Sequence, residues 1–146
     1  MKQLAVVFVL FALFPAAARA DRALAVGQVW SIKATPPTPA RVIIGRIEPW
    51  GDGKTAVSIS VVDVPTDQGP VMLPHAPYDA AALAGSLDQL VATGRPSPNG
   101  FETGYQAWKD AHGGVFTVPV DKMVAMILDQ ARAAGGHLPP SPPDAP

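Results

Sequence analysis

Residues 55–64, TAVSISVVDV, alternate apolar and small polar side chains more cleanly than any other part of the chain. Val57, Ile59 and Val61 point one way and Ser58 and Ser60 the other. A period of two is strand geometry, because successive side chains leave opposite faces of a pleated backbone. Two candidate strands precede it. In residues 27–35, GQVWSIKAT, Trp30 and Ile32 share one face, with Ser31 and Lys33 on the other. In residues 41–48, Arg46 and Glu48 share the parity of Val42 and Ile44, which leaves Ile43, Gly45 and Ile47 as the expected buried set. A glycine facing inward implies close approach of a large neighbour, for which Trp30 is the candidate. Pro36, Pro37 and Pro39 cannot donate ladder hydrogen bonds, so 35–39 is a loop. Between the second and third strands, Asp52-Gly53 favours the positive backbone dihedrals of a tight hairpin. Short loops between the three strands predict an antiparallel meander with one wet face.

The second half reads as helical. Leu83, Leu87, Leu90 and Val91 follow Asp79 at one-face spacing, and the Asp79 carboxylate is placed to cap the first turn. Tyr78 and Leu83 have the spacing of a hydrophobic staple, and Gly94 is the natural stop. Residues 73–79, LPHAPYD, read as an ordered loop reversing the chain between sheet and helix. In 101–114, FETGYQAWKDAHGG, Phe101, Tyr105 and Trp108 form one helical stripe, opposite Glu102, Gln106, Lys109 and Asp110. His112 suits the C-terminal end and Gly113-Gly114 terminate the helix. Residues 115–118, VFTV, are a candidate short fourth strand. Pro119 then opens a helix with the stripe Val120, Val124, Ile127 and Ala131. The expected fold is α+β: a three-stranded antiparallel meander, with that candidate fourth strand, packed on one face by three helices.

No cysteine occurs, so disulfides, thiol catalysis and cysteine-ligated zinc are excluded, and a core alone must hold the fold. The first twenty residues have the layout of a secretory signal peptide: Lys2, the apolar run Leu4–Phe14, Pro15, then Ala18-Arg19-Ala20 before the cleavage point. That run falls short of the roughly 20 residues needed to cross a bilayer, and no later segment is long and apolar enough. Removing Lys2 and Arg19 from the 11 basic residues leaves 9 against 12 acidic ones, a net charge near −3. The sequence shows no basic face, so nucleic acid is not an expected partner. Residues 21–136 are expected to form a single domain, with 137–146 a disordered, proline-rich tail that has little to bury.

The segments GQVWS at 27–31, LPHAP at 73–77 and FETGYQAWKDAHGGVFTVPV at 101–120 resemble a set of small exported bacterial proteins of unknown function. The resemblance spans most of the expected mature chain. It implies an exported bacterial protein and transfers no catalytic residue.

Several patterns that could carry chemistry are incomplete. Gly53-Lys54-Thr55 ends like a phosphate-binding loop, but Glu48 stands where another glycine is needed, and a strand follows rather than a helix. A zinc site wants three or four ligands, whereas His75, His112 and His137 are the only histidines and Asp79 is better used as a cap. Ser86 lies mid-helix without the flanking glycines of a nucleophile elbow. No catalytic, metal or cofactor-binding residue is therefore expected. The expected function is an exported, periplasmic or secreted, non-catalytic module binding a protein or cell-envelope component. Its binding residues would be Trp50 and Asp52 on the hairpin, with His75 and Tyr78 on the 73–79 loop. Trp50 could stand free there or fold back over the sheet edge. The alternatives are a small hydrolase using His75 or His112, and a carrier of a small apolar ligand between sheet and helices.

Overall fold

A computed structural model of the chain describes residues 23–143. The expected signal peptide, residues 1–20, and the last three residues of the expected tail lie outside the described residues. In chain order the elements are β1 (Val29–Ile32), β2 (Arg41–Trp50), β3 (Lys54–Val64), β4 (Val71–Asp79), α1 (Ala80–Ser86), β5 (Leu87–Ala92), α2 (Phe101–Asp110) and α3 (Val120–Ala133). The strands form one antiparallel sheet in the order β4-β3-β2-β1-β5. The fold is α+β with three helices, and the expected three-strand meander is the centre of a five-stranded sheet.

The two added strands correct two expectations. Residues 73–79 belong to edge strand β4 rather than to a loop, and an edge is where Pro74 and Pro77 can be accommodated. The helix expected through Val91 to a stop at Gly94 ends at Ser86; Leu87 and Leu90 instead pair with Ile32 and Trp30 of β1, and Val91 is exposed. Asp79 does cap α1, accepting from the Ala82 N–H at 3.1 Å, and Tyr78 and Leu83 are both fully buried. Leu83, Leu87 and Leu90 reach the same apolar core whether 87–92 is helix or strand, so their spacing does not decide between them. The unpaired edge of β1 decides, because a strand at 87–92 satisfies its backbone groups.

Both sheet faces carry helices, contrary to the expected wet face and one-sided packing. On one face, Trp30, Ile32, Val42, Ile44, Val57, Ile59, Val61 and Tyr78 meet Leu83 of α1 and Val120, Met123 and Val124 of α3. On the other, Phe101, Tyr105 and Trp108 of α2 lie over Ala56. Ser58 and Ser60 are therefore buried, at 2% and 0% exposure. Each finds a partner: Ser60 Oγ donates to the Pro74 carbonyl at 2.7 Å, and Ser58 Oγ meets His75 Nε2 at 3.0 Å.

A bulge resolves the conflicting parity of β2. The register shifts between Ile44 and Arg46, so Ile44 opposes Ile59 while Arg46 opposes Ser58 and Glu48 opposes Ala56. Val42 and Ile44 enter the apolar core, and Arg46 and Glu48 turn to the α2 face. The expected buried set Ile43, Gly45 and Ile47 is thus corrected: Ile43 is buried in a small separate cluster, and Ile47 is exposed. Gly45 is the bulge, and its large neighbour is Phe101 rather than Trp30; a Cβ there would collide with the Phe101 ring.

The outer edge of β4 is covered in two places. Phe116 forms a single parallel bridge with Tyr78, which is as much strand as 115–118 provides. Its N–H donates to the Pro77 carbonyl at 2.8 Å, and its carbonyl accepts from Asp79 N–H at 3.0 Å. Farther along, the Pro139 carbonyl accepts from Met72 N–H at 2.9 Å, and Ser141 N–H donates to the Pro70 carbonyl at 3.0 Å. Ser141 Oγ also donates to the Val71 carbonyl and accepts from Asp63 N–H, each at 2.8 Å. Residues 139–141 therefore form a hydrogen-bonded strap, made by backbone groups and one serine rather than by apolar burial.

Candidate functional site

The α2 face gathers most of the polar and aromatic chemistry. Its helix begins after Gly100, whose backbone is left-handed at φ 90°, and three turns of i, i+4, i+7 spacing aim Phe101, Tyr105 and Trp108 at the sheet. Gly104 lies where the helix crosses β4, and a Cβ there would come within 2.7 Å of the His75 Cβ. Helix and strand thus approach closely enough for the His75 ring to sit among Phe101, Tyr105 and Trp108, at centroid distances of 5.5, 5.9 and 5.8 Å.

Glu48 is the electrostatic centre. It accepts from Tyr105 Oη at 2.5 Å and from Lys109 Nζ at 2.8 Å. Burial opposes its charge, but those two hydrogen bonds, with the charges of Lys109 and Arg46, outweigh burial and hold its carboxyl below the ordinary value. The same hydrogen bond raises the pKa of Lys109. The Arg46 guanidinium carbon lies over the Tyr105 ring, 4.0 Å from its centroid, and Arg46 pairs with Glu102 at 3.0 Å. Trp108 Nε1 donates to the Gly114 carbonyl at 2.8 Å, and Trp108 stacks on Trp50 with centroids 5.2 Å apart.

The four residues singled out from sequence do not form one surface. Trp50 closes β2 opposite Lys54 and folds back onto Trp108, half-buried. Asp52 is exposed at the tip of the three-residue hairpin turn, between Gly51 at φ 55° and Gly53 at φ 69°. His75 is half-buried under α2 and reaches Trp50 only through Trp108. Tyr78 is fully buried on the opposite face, and its hydroxyl has no hydrogen-bond partner among the described residues. Burial, with the nearby Asp121 charge, pushes that hydroxyl's pKa well above its ordinary value.

Arg46, Glu48, Glu102, Tyr105 and Lys109 are the network that sequence reasoning missed as a unit. The available signal was Arg46 and Glu48 two positions apart in the second half of β2, together with Tyr105 and Lys109 one helical turn apart.

The chemistry this arrangement supports is limited. The hydroxyl of Ser58 is bonded to His75, yet Ser58 is 2% exposed, and no carboxylate hydrogen-bonds His75 among the described residues. Burial, and secondarily Arg46, lower the His75 pKa, so its neutral form is favoured. His112 is exposed beyond the end of α2, at φ 49°, and His137 is exposed in the tail segment. Among the described residues no group of three or more histidine and acidic side chains is arranged to hold a metal ion. No helix among them is long and apolar enough to cross a membrane. Comparison with known protein families, with curated proteins and with solved structures finds no match for the chain.

Proposed function

We propose that this chain is an exported, non-catalytic interaction module that binds a protein or cell-envelope component. Its contact surface is the end of the molecule where the β2–β3 hairpin leans on α2. The observation that carries this reading is the half-buried Trp50, stacked on Trp108, with exposed Asp52 and Lys54 beside it on the hairpin and Lys109 Nζ over the Trp108 ring. An aromatic anchor held by a second ring and rimmed by exposed charges is the composition of a binding hot spot. The polar groups deeper in the site already serve one another, which favours binding over catalysis: Glu48 is doubly bonded, and Ser58 is shielded with His75. The placement differs from the sequence expectation in two respects: Tyr78 faces the opposite core, and His75 lies half-buried under α2, so neither forms part of the contact surface. Export rests on the signal-peptide pattern of residues 1–20.

Trp50→Ala tests the reading. The variant should unfold in a single cooperative transition, because Trp50 is only half-buried at the sheet's end and its stacking adds about 1 kcal/mol beyond the area it buries. Captured on a solid support, the wild-type protein should retain an envelope component that the variant does not. Equal retention by both would remove the hairpin from the proposal.

A further inference from the structure

A second place with the makings of a binding site, lined by no residue of α2, lies at the outer edge of β4. A cavity of about 320 Å³ opens between the β3–β4 connection, the end of α3 and the segment that leads into the strap. Val71, Leu128 and Leu138 line it, each only partly buried, so they hold apolar surface that a ligand could cover. Asp67 and Arg132 line the same cavity with opposite charges, from the β3–β4 connection and α3 respectively. Arg132 has one partner, Asp129 at 3.4 Å, in a pair whose side chains are 69% and 76% exposed. An ion pair that open to water is weak and leaves the guanidinium available to another carboxylate. Leu138 directly precedes the strap, whose hydrogen bonds to Pro70, Val71 and Met72 hold that wall in place.

Thr66, Gln68 and His137 complete the polar part of the lining, and an aliphatic patch flanked by one anion and one cation selects for a ligand carrying both charges and a short apolar body. Known small-molecule pockets span about 300–1,000 Å³, which puts this one at the small end. We propose that the cavity binds a small aliphatic zwitterion of the free amino-acid class. Its carboxylate meets Arg132, its ammonium meets Asp67, and its side chain lies on Val71, Leu128 and Leu138. This site is independent of the Trp50 surface.

The test is a methyl-resolved NMR titration of the full chain with L-leucine, leucinamide, 4-methylpentanoate and glycine. Leucinamide lacks the carboxylate, 4-methylpentanoate lacks the ammonium, and glycine lacks the apolar body. Leucine should shift the Val71, Leu128 and Leu138 methyls saturably, and glycine should leave them unmoved. Losing one charge-assisted contact should weaken each single-charge analogue by about tenfold. Asp67→Asn and Arg132→Gln alter exposed side chains and should leave the fold intact. Each should reduce leucine affinity to that of the analogue missing the matching charge. Trp50→Ala should leave the titration unchanged, so failure of the hairpin proposal and failure of this one are separable. The proposal is overturned if those methyls do not shift with leucine, or if leucine and both analogues bind equally. Unchanged leucine affinity in both variants would overturn it as well.

Discussion

The two faces of the sheet are covered in different ways. Under α1 and α3, aliphatic side chains from all five strands meet Leu83, Val120 and Met123, and among the described residues the only buried side-chain polar atom without a partner there is the Tyr78 hydroxyl. Under α2, Arg46 and Glu48 of the sheet bond Glu102, Tyr105 and Lys109 of the helix, while Ser58 pairs with His75 and Ser60 with the Pro74 carbonyl inside the sheet. The first face is held by non-directional removal of apolar area from water, which depends on volume and little on angle. The second is held by directional partnerships, in which the loss of one member leaves another unsatisfied. A face that tolerates polar groups only when all are paired is also the face that places aromatic and charged groups at the surface. The proposed contact region at Trp50 is continuous with it.

The largest expected effect is on the apolar face. Met123 is fully buried between α3 and the sheet, so Met123→Ala should cost about 2–5 kcal/mol through lost burial and the cavity left behind. Urea unfolding would show it as a lower midpoint; a loss under 1 kcal/mol would mean α3 contributes little to this core. On the opposite face, Gly45→Ala tests close approach rather than burial. The added Cβ meets the Phe101 ring, and Ser97 Oγ at 2.7 Å, so about 1–3 kcal/mol of overpacking is expected. Pairing Gly45→Ala with Phe101→Leu should recover part of that loss, whereas purely additive effects would place the cost in the bulge itself.

Smaller again is Tyr105→Phe, which removes one hydrogen bond to Glu48 while keeping the ring under Arg46. About 1 kcal/mol is expected, because Lys109 remains to satisfy the carboxylate. A neutral outcome would show that Lys109 alone suffices.

The last comparison is in pH. Folding depresses the His75 pKa below its ordinary 6.5, so as pH falls below that value the unfolded chain takes up the proton first and stability declines. Glu48 is also depressed, from 4.5, and its contribution is present above that value and lost as pH falls through its lower folded value. Acid should therefore weaken the α2 face in two stages, histidine first. His75→Gln should flatten the earlier stage and leave the later one, as read from unfolding midpoints across pH 7 to 4. An unchanged profile would remove His75 as its source.

Local periodicity was readable where one face of an element meets the core and the other meets water. The strands at 41–48 and 55–64, and the stripes of α2 and α3, were legible on that basis. The reading failed at 87–92 because Leu87 and Leu90 serve the core equally as helix or strand. It failed at 71–79 because two prolines argue against a central strand and say nothing about an edge. At the site, the Phe101–Tyr105–Trp108 stripe was visible as a helix face, but not what lay beneath it. Ser58 and Ser60 read as solvated, since nothing local in β3 announces that a helix about forty residues later will cover them.

The sequence by itself determined the α+β class, the central strands, two of the three helices, the hairpin at Asp52-Gly53 and the Asp79 cap. Each of these depends on residues within a few positions of one another. Only the tertiary structure decided that β1 gains a second neighbour, that a bulge at Gly45 sends Arg46 and Glu48 away from Ile44, and that α2 covers the serine face. Those outcomes depend on satisfying backbone and side-chain polar groups across long stretches of chain. Such pairing leaves no periodic trace in either partner.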